Sequence, residues 1–557
     1  MRHVPSTAVL FFSTCLSVVA HANGTTLMPG GVASVSRGGA VAARPEDATA
    51  IVTNPAALAF IPGGQIYVGA DTPFQKMCVA PYGYYGWGDA KSTSSGFGPQ
   101  NDTSTGNPPG YAVTPLSPVC NSAGTFPVPQ LAAQGHITKD LAYGIGFLNP
   151  VLVPGQQFGG DDGTVQTPYG PRPTPTRGTL IKQTAVYASD PSFSLAYRFM
   201  SELAAGMTLQ ITSIAARQSQ VQVPPGSGTS PSSAILSTVY TQDLFIPALT
   251  FSVHAKPIPG LDVMGAFKWS DDLHGSGDVV FETNTYNRPY QGISAQYQYV
   301  PYKNAPVRLS DVTVRLPWAA TGAIRYAGLL KDDKAPGGDP MATERWDVEF
   351  DFNYTFDART SNSSVTLGQD ATLLYQKATG GTEQSTVKAS DLGTLTFDRH
   401  LRDNYALRVG GSYSVLPRKF AVNAGVFYES PGVDLAYANV GAFSFQRIGA
   451  SIGIMARFGS WDLRVGATQI RSETVEVAPP PNQSQAVGAT VTSPTTGNPI
   501  GSKILPDPNA PPPSKADAVA AQTQFAHTPQ GVTNWVVNAG RYTASFEVLS
   551  VGATFHF

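Results

Sequence analysis

Hydrophobic and polar positions alternate with a period of two through much of this chain. The stretch 344–358, ERWDVEFDFNYTFDA, carries the longest run. Trp346, Val348, Phe350, Phe352, Tyr354 and Phe356 fall on one side, and Asp347, Glu349, Asp351, Asn353, Thr355 and Asp357 on the other. Successive side chains leave a strand on opposite faces, so the pattern predicts a strand with one aromatic and one acidic face. The pattern returns at Tyr405, Leu407, Val409 and Tyr413, at Phe420, Val422, Ala424, Val426 and Tyr428, and at Trp461, Leu463, Val465 and Ala467. In a soluble sandwich the apolar side would meet a core and the polar side water. In a membrane barrel it would meet lipid, with the polar side facing a lumen. A single strand fits either.

The set of strands decides between them. Alternation predicts strands near 64–73, 125–136, 141–150, 181–199, 203–216, 243–256, 261–270, 310–328, 345–357, 402–415, 419–429, 445–458, 461–471 and 538–557. An even number lets the last strand return beside the first. Pro127 and Pro129 weaken the second strand and Pro317 interrupts the eighth, because proline cannot donate to a ladder. The turns at 416–418 and 458–460 are short. The inserts at 75–124, 151–180, 217–242, 272–306, 358–401 and 473–537 are long, rich in Pro, Gly, Ser, Thr and Asn, and read as loops rather than further domains. Short turns on one side and long loops on the other are the asymmetry of an outer-membrane barrel. KDDKAPGGDP, 331–340, falls where a short turn belongs. It is either a longer periplasmic turn or a break in the assigned register.

Composition removes other classes. The 557 residues include 56 Gly and 46 Pro, only 13% are charged, and the net charge is -2, so nucleic acid is not an expected partner. After the N-terminal run no segment supplies the roughly 18 consecutive apolar residues of a membrane helix. Residues 1–22 read as a secretory signal peptide: Arg2, the apolar run AVLFFSTCLSVVA, then Ala20-His21-Ala22 before Asn23. A buried N-terminal helix is the other reading. Cys15 lacks a lipoprotein context. Export would leave Cys78 and Cys120, an even pair expected to form a disulfide across a long loop. Two free buried thiols are the alternative, which the surrounding Pro, Gly and Ser residues disfavour.

Chemistry-bearing constellations are sparse. Asp347, Glu349, Asp351 and Asp357 share a strand face, so acid–base work is geometrically open. A solvated lumen wall balanced by Arg408 and Arg464 explains them more simply. The histidines, His254 and His556 among them, form no metal-spaced cluster, and no nucleophile elbow, phosphate loop or zinc-protease motif occurs. No enzyme activity, catalytic residue, metal or cofactor is expected.

Residues 23–63 precede the first strand and consist mostly of small residues. A barrel of this size needs a plug or encloses an open channel, so this segment is expected to fold back into the lumen. Its pattern is Gly31, Arg37-Gly38, Ala40, Ala43, Asp47, Ala50 and Asn54-Pro55-Ala56. With PSFSLAYRF (191–199), LAAGMTLQ (203–210), VRLPWAATGAIRYA (314–327), NYALRVGGSY (404–413) and VNAGVFYESP (422–431), it resembles the long-chain fatty acid and aromatic hydrocarbon transporter family of the Gram-negative outer membrane. The resemblance implies an all-β fold: a 14-stranded antiparallel transmembrane β-barrel over 64–557 with an N-terminal luminal hatch over 23–63. It implies passive uptake of hydrophobic molecules such as fatty acids or hydrocarbons, captured at the outer loops, passed by the hatch and released laterally into membrane lipid near the third strand.

The implied ligand and hatch residues are Leu27, Met28, Asn54 and Pro55. Asn54 would satisfy backbone groups at the turn between hatch and wall, and Pro55 would fix the chain direction. The strand-3 opening would involve Gly144, Gly146, Asn149 and Pro150, although Pro150 also reads as a plain strand end. Phe557 closes a final strand whose face includes Leu549, Val551, Ala553 and Phe555. Such an ending resembles the signal read by barrel-assembly machinery, an expected partner. A monomer is expected. The very long loops keep a second function open, a structural or surface-binding barrel without transport.

Overall fold

The computed structural model describes residues 28, 31–44, 46–81, 118–148, 155–167, 170–174, 176, 180–222, 235–283, 302–330, 339–376, 382–433, 438–441, 443–477, 490–492, 499–501 and 540–557. The expected signal peptide lies outside them.

Fourteen antiparallel strands close into a barrel. They are β1 (Gln65–Pro81), β2 (Val128–His136), β3 (Leu141–Phe147), β4 (Pro191–Met200), β5 (Leu203–Gln222), β6 (Ile235–Ile258) and β7 (Leu261–Ser270). Then follow β8 (Ala319–Leu329), β9 (Glu344–Thr355), β10 (Asn404–Leu416), β11 (Phe420–Glu429), β12 (Arg447–Phe458), β13 (Trp461–Ser472) and β14 (Gly540–His556). Each pairs with its sequence neighbour. β1 pairs with β14 from Gln65↔His556 to Pro81↔Gly540, which removes the sheet edge.

Alternation sorts the side chains as the sequence predicts. On β9, Val348 is 53% exposed while Asp347 is 2% exposed. Phe350 and Phe352 share the outer face with Trp346, and Val465, Val551, Ile452 and Leu195 continue the apolar belt on other strands. Aromatic residues stand at both ends of the belt, among them Trp346, Tyr413 and Trp461 toward the turns and Phe352, Tyr405 and Phe147 toward the loops. In water a continuous apolar belt of this size would drive association. In a bilayer it is the lipid-facing surface, and the fold is that of a Gram-negative outer-membrane protein.

The long inserts are not all loops. Strands at Lys182–Ser189, Leu273–Thr283, Val307–Val314, Asn362–Leu367 and Thr394–Asp398 join the outer ends of β5 and β6 in one sheet. Ile235, Val239, Val279, Phe281, Leu309 and Val312 form a core there, separate from the barrel interior. The expectation of loops without further structure therefore fails for parts of 217–242, 272–306 and 358–401. The physical reason is that β5 and β6 do not stop at the membrane. Their ladder continues outward past an irregularity at Thr212/Ile214 and offers free edges to the next segments.

Two predicted strands prove to be divided, although only the eighth was expected to be interrupted. The fourth breaks between Ser189 and Pro191, and the eighth between Val314 and Ala319, around Pro317. β8 and β9 stay in register from Ala319↔Thr355 to Gly328↔Trp346, so the 331–340 stretch, most of which lies outside the described residues, does not break the assigned register. Its described end is capped: the Asp339 side chain accepts from the Met341 backbone N–H and receives Arg457 at 2.5 Å. Cys78 and Cys120 form the expected disulfide, tying the Val119–Cys120 segment to the outer end of β1.

A charge placed in the belt tests this orientation. Val465→Arg should lower the unfolding free energy of the lipid-refolded barrel by about 2–4 kcal/mol if the residue lies near the bilayer midplane. Denaturant titration reads the effect; no loss would place that face away from lipid.

Candidate functional site

The inward face of the barrel divides along each strand. On β14 the inward residues from the outer end are Tyr542, Ala544, Phe546 and Val548, followed by Ser550, Gly552 and Thr554. On β13 they run Ile470, Thr468, Gly466, Arg464, Asp462. The outer half is thus apolar and the inner half polar, and the segment 31–63 packs against the polar half.

That segment opens with α1 (Gly31–Ser36) and ends in a 3-10 turn, Pro55–Phe60, and both are wholly buried. Small residues permit it. A Cβ at Gly410 would meet the Arg37 carbonyl oxygen at 2.5 Å, one at Gly206 the Ala56 nitrogen at 2.5 Å, and one at Gly552 a Val32 methyl at 2.9 Å. At Gly425 it would overlap the Arg37 carbonyl itself. The inward glycines of β5, β10, β11 and β14 are a seat on which the backbone of the segment rests.

Charge locks the segment in place. Arg37 contacts Asp347 at 2.9 Å and Glu349 at 3.2 Å, and Arg44 contacts Asp347 at 2.6 Å. Arg325 of β8 reaches Asp347 at 2.6 Å and Asp262 at 2.9 Å, and also pairs with Glu344. Backbone N–H groups complete the set: Ala43 donates to Glu349 at 2.6 Å, and Val41 and Ala42 to Asp351 at 3.1 and 3.2 Å. Four strands further round, Arg464 of β13 pairs with Asp47 at 3.1 Å and with Glu46. These carboxylates do not line a solvated lumen, as composition suggested. They are buried because the segment itself brings the guanidinium and amide groups they need. Of the two cations expected to balance them, Arg464 holds the segment, and Arg408 donates to Asn353 at 2.6 Å and to Glu429 at 2.9 Å.

Asn54 joins the same system. Its side-chain amide donates to the Ala42 carbonyl at 2.7 Å and lies 2.8 Å from His254 Nδ1. The opposite ring nitrogen of His254 lies 2.9 Å from Asp262, which Arg325 also holds. Pro55 begins the 3-10 turn, and the following Ala56 N–H donates to Ser252 of β6 at 2.8 Å.

Above the segment lies an apolar cluster that includes Met28, Met77, Val79, Phe158, Phe427, Phe445, Ile470 and Phe546. Met28 is 6% exposed and belongs to it; Leu27 lies outside the described residues. The strand-3 residues separate. Gly144 faces the segment, where a Cβ would meet Ile51 at 2.7 Å, and Gly146 faces β2. Asn149 and Pro150 lie outside the described residues. Leu141–Phe147 pairs with β4 along its whole length, and with β2 from Ala142 onward. The structure therefore brings Met28 to the apolar cluster and Asn54, Pro55 and Gly144 to the segment–wall contact. Sequence reasoning passed over Arg37 and Arg44 as charge partners and over the glycine seat. The glycines carried a signal, because they recur at inward positions of alternating strands.

No protein-family model and no curated protein matches the chain. Solved structures do. A Pseudomonas aeruginosa FadL homologue aligns at TM-score 0.62 and 14% identity, over 96% of this chain and 100% of that one. The Pseudomonas putida toluene transporter TodX aligns at 0.55 and 12%, covering 95% and 99%. The Ralstonia pickettii toluene transporter TbuX aligns at 0.52 and 13%, covering 95% and 99%. This likeness shows a shared fold across nearly the whole chain.

The seat can be tested by filling it. Gly425→Val should unseat the segment, so that trypsin cuts after Arg37, which Gly38 follows, in a barrel that still shows heat-modifiable migration. Continued protection of that bond would show that the contact is not needed.

Proposed function

We propose that the chain is a non-enzymatic outer-membrane channel for passive uptake of hydrophobic compounds, such as long-chain fatty acids or hydrocarbons. In this reading residues 23–63 are a luminal hatch. The observation that carries it is the division of the interior: an apolar cluster at the outer end above a polar, ion-paired floor. A polar porin has no use for buried Met28, Phe427, Phe445 and Phe546 at its mouth, whereas an apolar solute gains about 0.8 kcal/mol per CH₂ on leaving water for such surroundings. The shared fold with structures described as toluene transporters supports the same reading.

Ligand would be captured among the outer loops, settle against Met28, with Leu27 beside it, and pass the hatch near Asn54 and Pro55. The charged floor blocks an apolar molecule from continuing down the axis, because it would have to displace ion pairs that it cannot replace. Release sideways into lipid is the downhill alternative. β2 and β3 suit it, with 9 and 7 residues against 17 in β1 and 20 in β5. β1 runs on to Pro81, ten residues beyond its last β2 partner, Asp71. The exit would then pass over the low outer edge of β3, near Asn149 and Pro150, with Gly144 and Gly146 thinning the wall below.

Proteoliposomes enclosing a membrane-impermeant quencher test both parts. Labelled oleate and toluene should enter faster than into empty vesicles, and the fatty acid label should stay in the bilayer, unquenched. Met28→Glu should slow transfer at least about tenfold, the cost of leaving a charge among apolar groups. Immediate quenching would reject lateral release. Transfer no faster than in empty vesicles would reject transport and favour a surface-binding or structural barrel.

A further inference from the structure

At the outer ends of β5 and β6 the face that contributes Val239 to the outer core also carries a patch that neither the luminal cluster nor the ion pairs use. Strand register places Gln156, Gln183, Gln218 and Val239 side by side in one row. Gln220 and Ser237 are opposite each other in the row above. Residues directly opposite in an antiparallel pair share a face. Gln156, Gln218, Gln220 and Ser237 are all at most 3% exposed. Yet Gln156 Oε1, both amide atoms of Gln218, Gln220 Nε2 and Ser237 Oγ have no hydrogen-bond partner. Buried polar groups are nearly always paired, by protein, water or ligand, so orphans on neighbouring positions call for a shared partner. The rows contain no charged side chain. Lys182 falls on the opposite face by alternation and is held by Asp161 at 2.6 Å.

We infer that this patch holds the uncharged, hydrogen-bonding head of an amphiphile, a long-chain alcohol or a group of the same chemistry, while its chain lies against apolar neighbours. The inference rests on the uptake function proposed above and narrows its substrate class. The orphans include both donors and acceptors. A hydroxyl both donates and accepts, so it can serve Gln218 Nε2 and Gln156 Oε1 at once. A carboxylate only accepts, and the described residues of the patch give it no cation. An alkane leaves every orphan unpaired. Apolar surface adjoins on two sides. Gln156 leads to Phe158, which is wholly buried in the luminal cluster, and Gln218 stands beside Val239 of the outer core.

Competition against a fluorescent alkane probe, with the full chain in lipid nanodiscs, tests the inference. 1-Dodecanol should displace the probe at about tenfold lower concentration than dodecane, the difference one well-made buried hydrogen bond supplies. Dodecanoate at pH 8 should do no better than dodecane. Q218L/Q220L should erase the alcohol's advantage and leave dodecane unchanged, with heat-modifiable migration intact. Ser237→Ala should reduce the advantage in part and provides a second, milder variant. Equal displacement by alcohol and alkane in the wild type, or an advantage that survives both variants, would overturn the inference and assign the orphans to ordered water. Failure of every compound, dodecane included, would overturn the uptake function and this inference together.

Discussion

Three carboxylates on one strand set the terms for the rest of the interior. Asp347, Glu349 and Asp351 are at most 2% exposed. An ionised carboxylate cannot stay in such a place without cations and donors close by, because its desolvation costs several kcal/mol even after relaxation. Asp347 alone takes three guanidinium groups, from Arg37, Arg44 and Arg325. Two of these come from the N-terminal segment, about 300 residues away in sequence. The wall therefore needs the segment to neutralise it, and the segment needs the glycine seat to come near enough.

Buried ion pairs are poor evidence of net stability, but they are exacting about geometry. Here they act in two directions across the lumen. Arg37 and Arg44 bind β9, while Asp47 and Glu46 bind Arg464 of β13. A segment held from two separate parts of the wall by charges of opposite sign has one register, since a shift by one residue would set Arg44 and Glu46 against the wrong partners. The apolar cluster above imposes no such condition. Dispersion and area burial are tolerant of shape, and Met28 and Met77 are adaptable fillers. The interior thus pairs a rigid floor with an accommodating upper chamber.

Much of the barrel was legible because lipid on one side and a packed lumen on the other enforce alternation. Alternation put a strand at each of the fourteen barrel positions, including the second despite Pro129 inside it, although the predicted fourth and eighth each divide into a barrel strand and an outer one. Pro129 pairs with Ala70 near the end of a short ladder that covers only the inner half of the first strand. Legibility fell away where those two solvents end. The outer parts of β5 and β6 have neither lipid nor lumen, and their residues pack into a separate core. Runs such as Gln218–Gln222 then look like loop. The disulfide was legible from compartment and parity alone. The partners of Asp347 were not, since nothing local to β9 encodes which cation, 310 residues away, will face it.

The acidic face of β9 shows what such a reading leaves open. Alternation fixed that it points inward, and composition suggested water there. Whether an inward carboxylate meets water or an arginine depends on what fills the bore, and that depends on a segment with no periodicity of its own. Its information lies in size and charge at single positions: Arg37 and Arg44 as cations, Asp47 as an anion, small residues between them, and glycines on the facing strands. Each is uninformative alone. Together they form a complementary surface, which is why the floor of the lumen can be recognised only once the closed ladder has placed both halves of it in the same space.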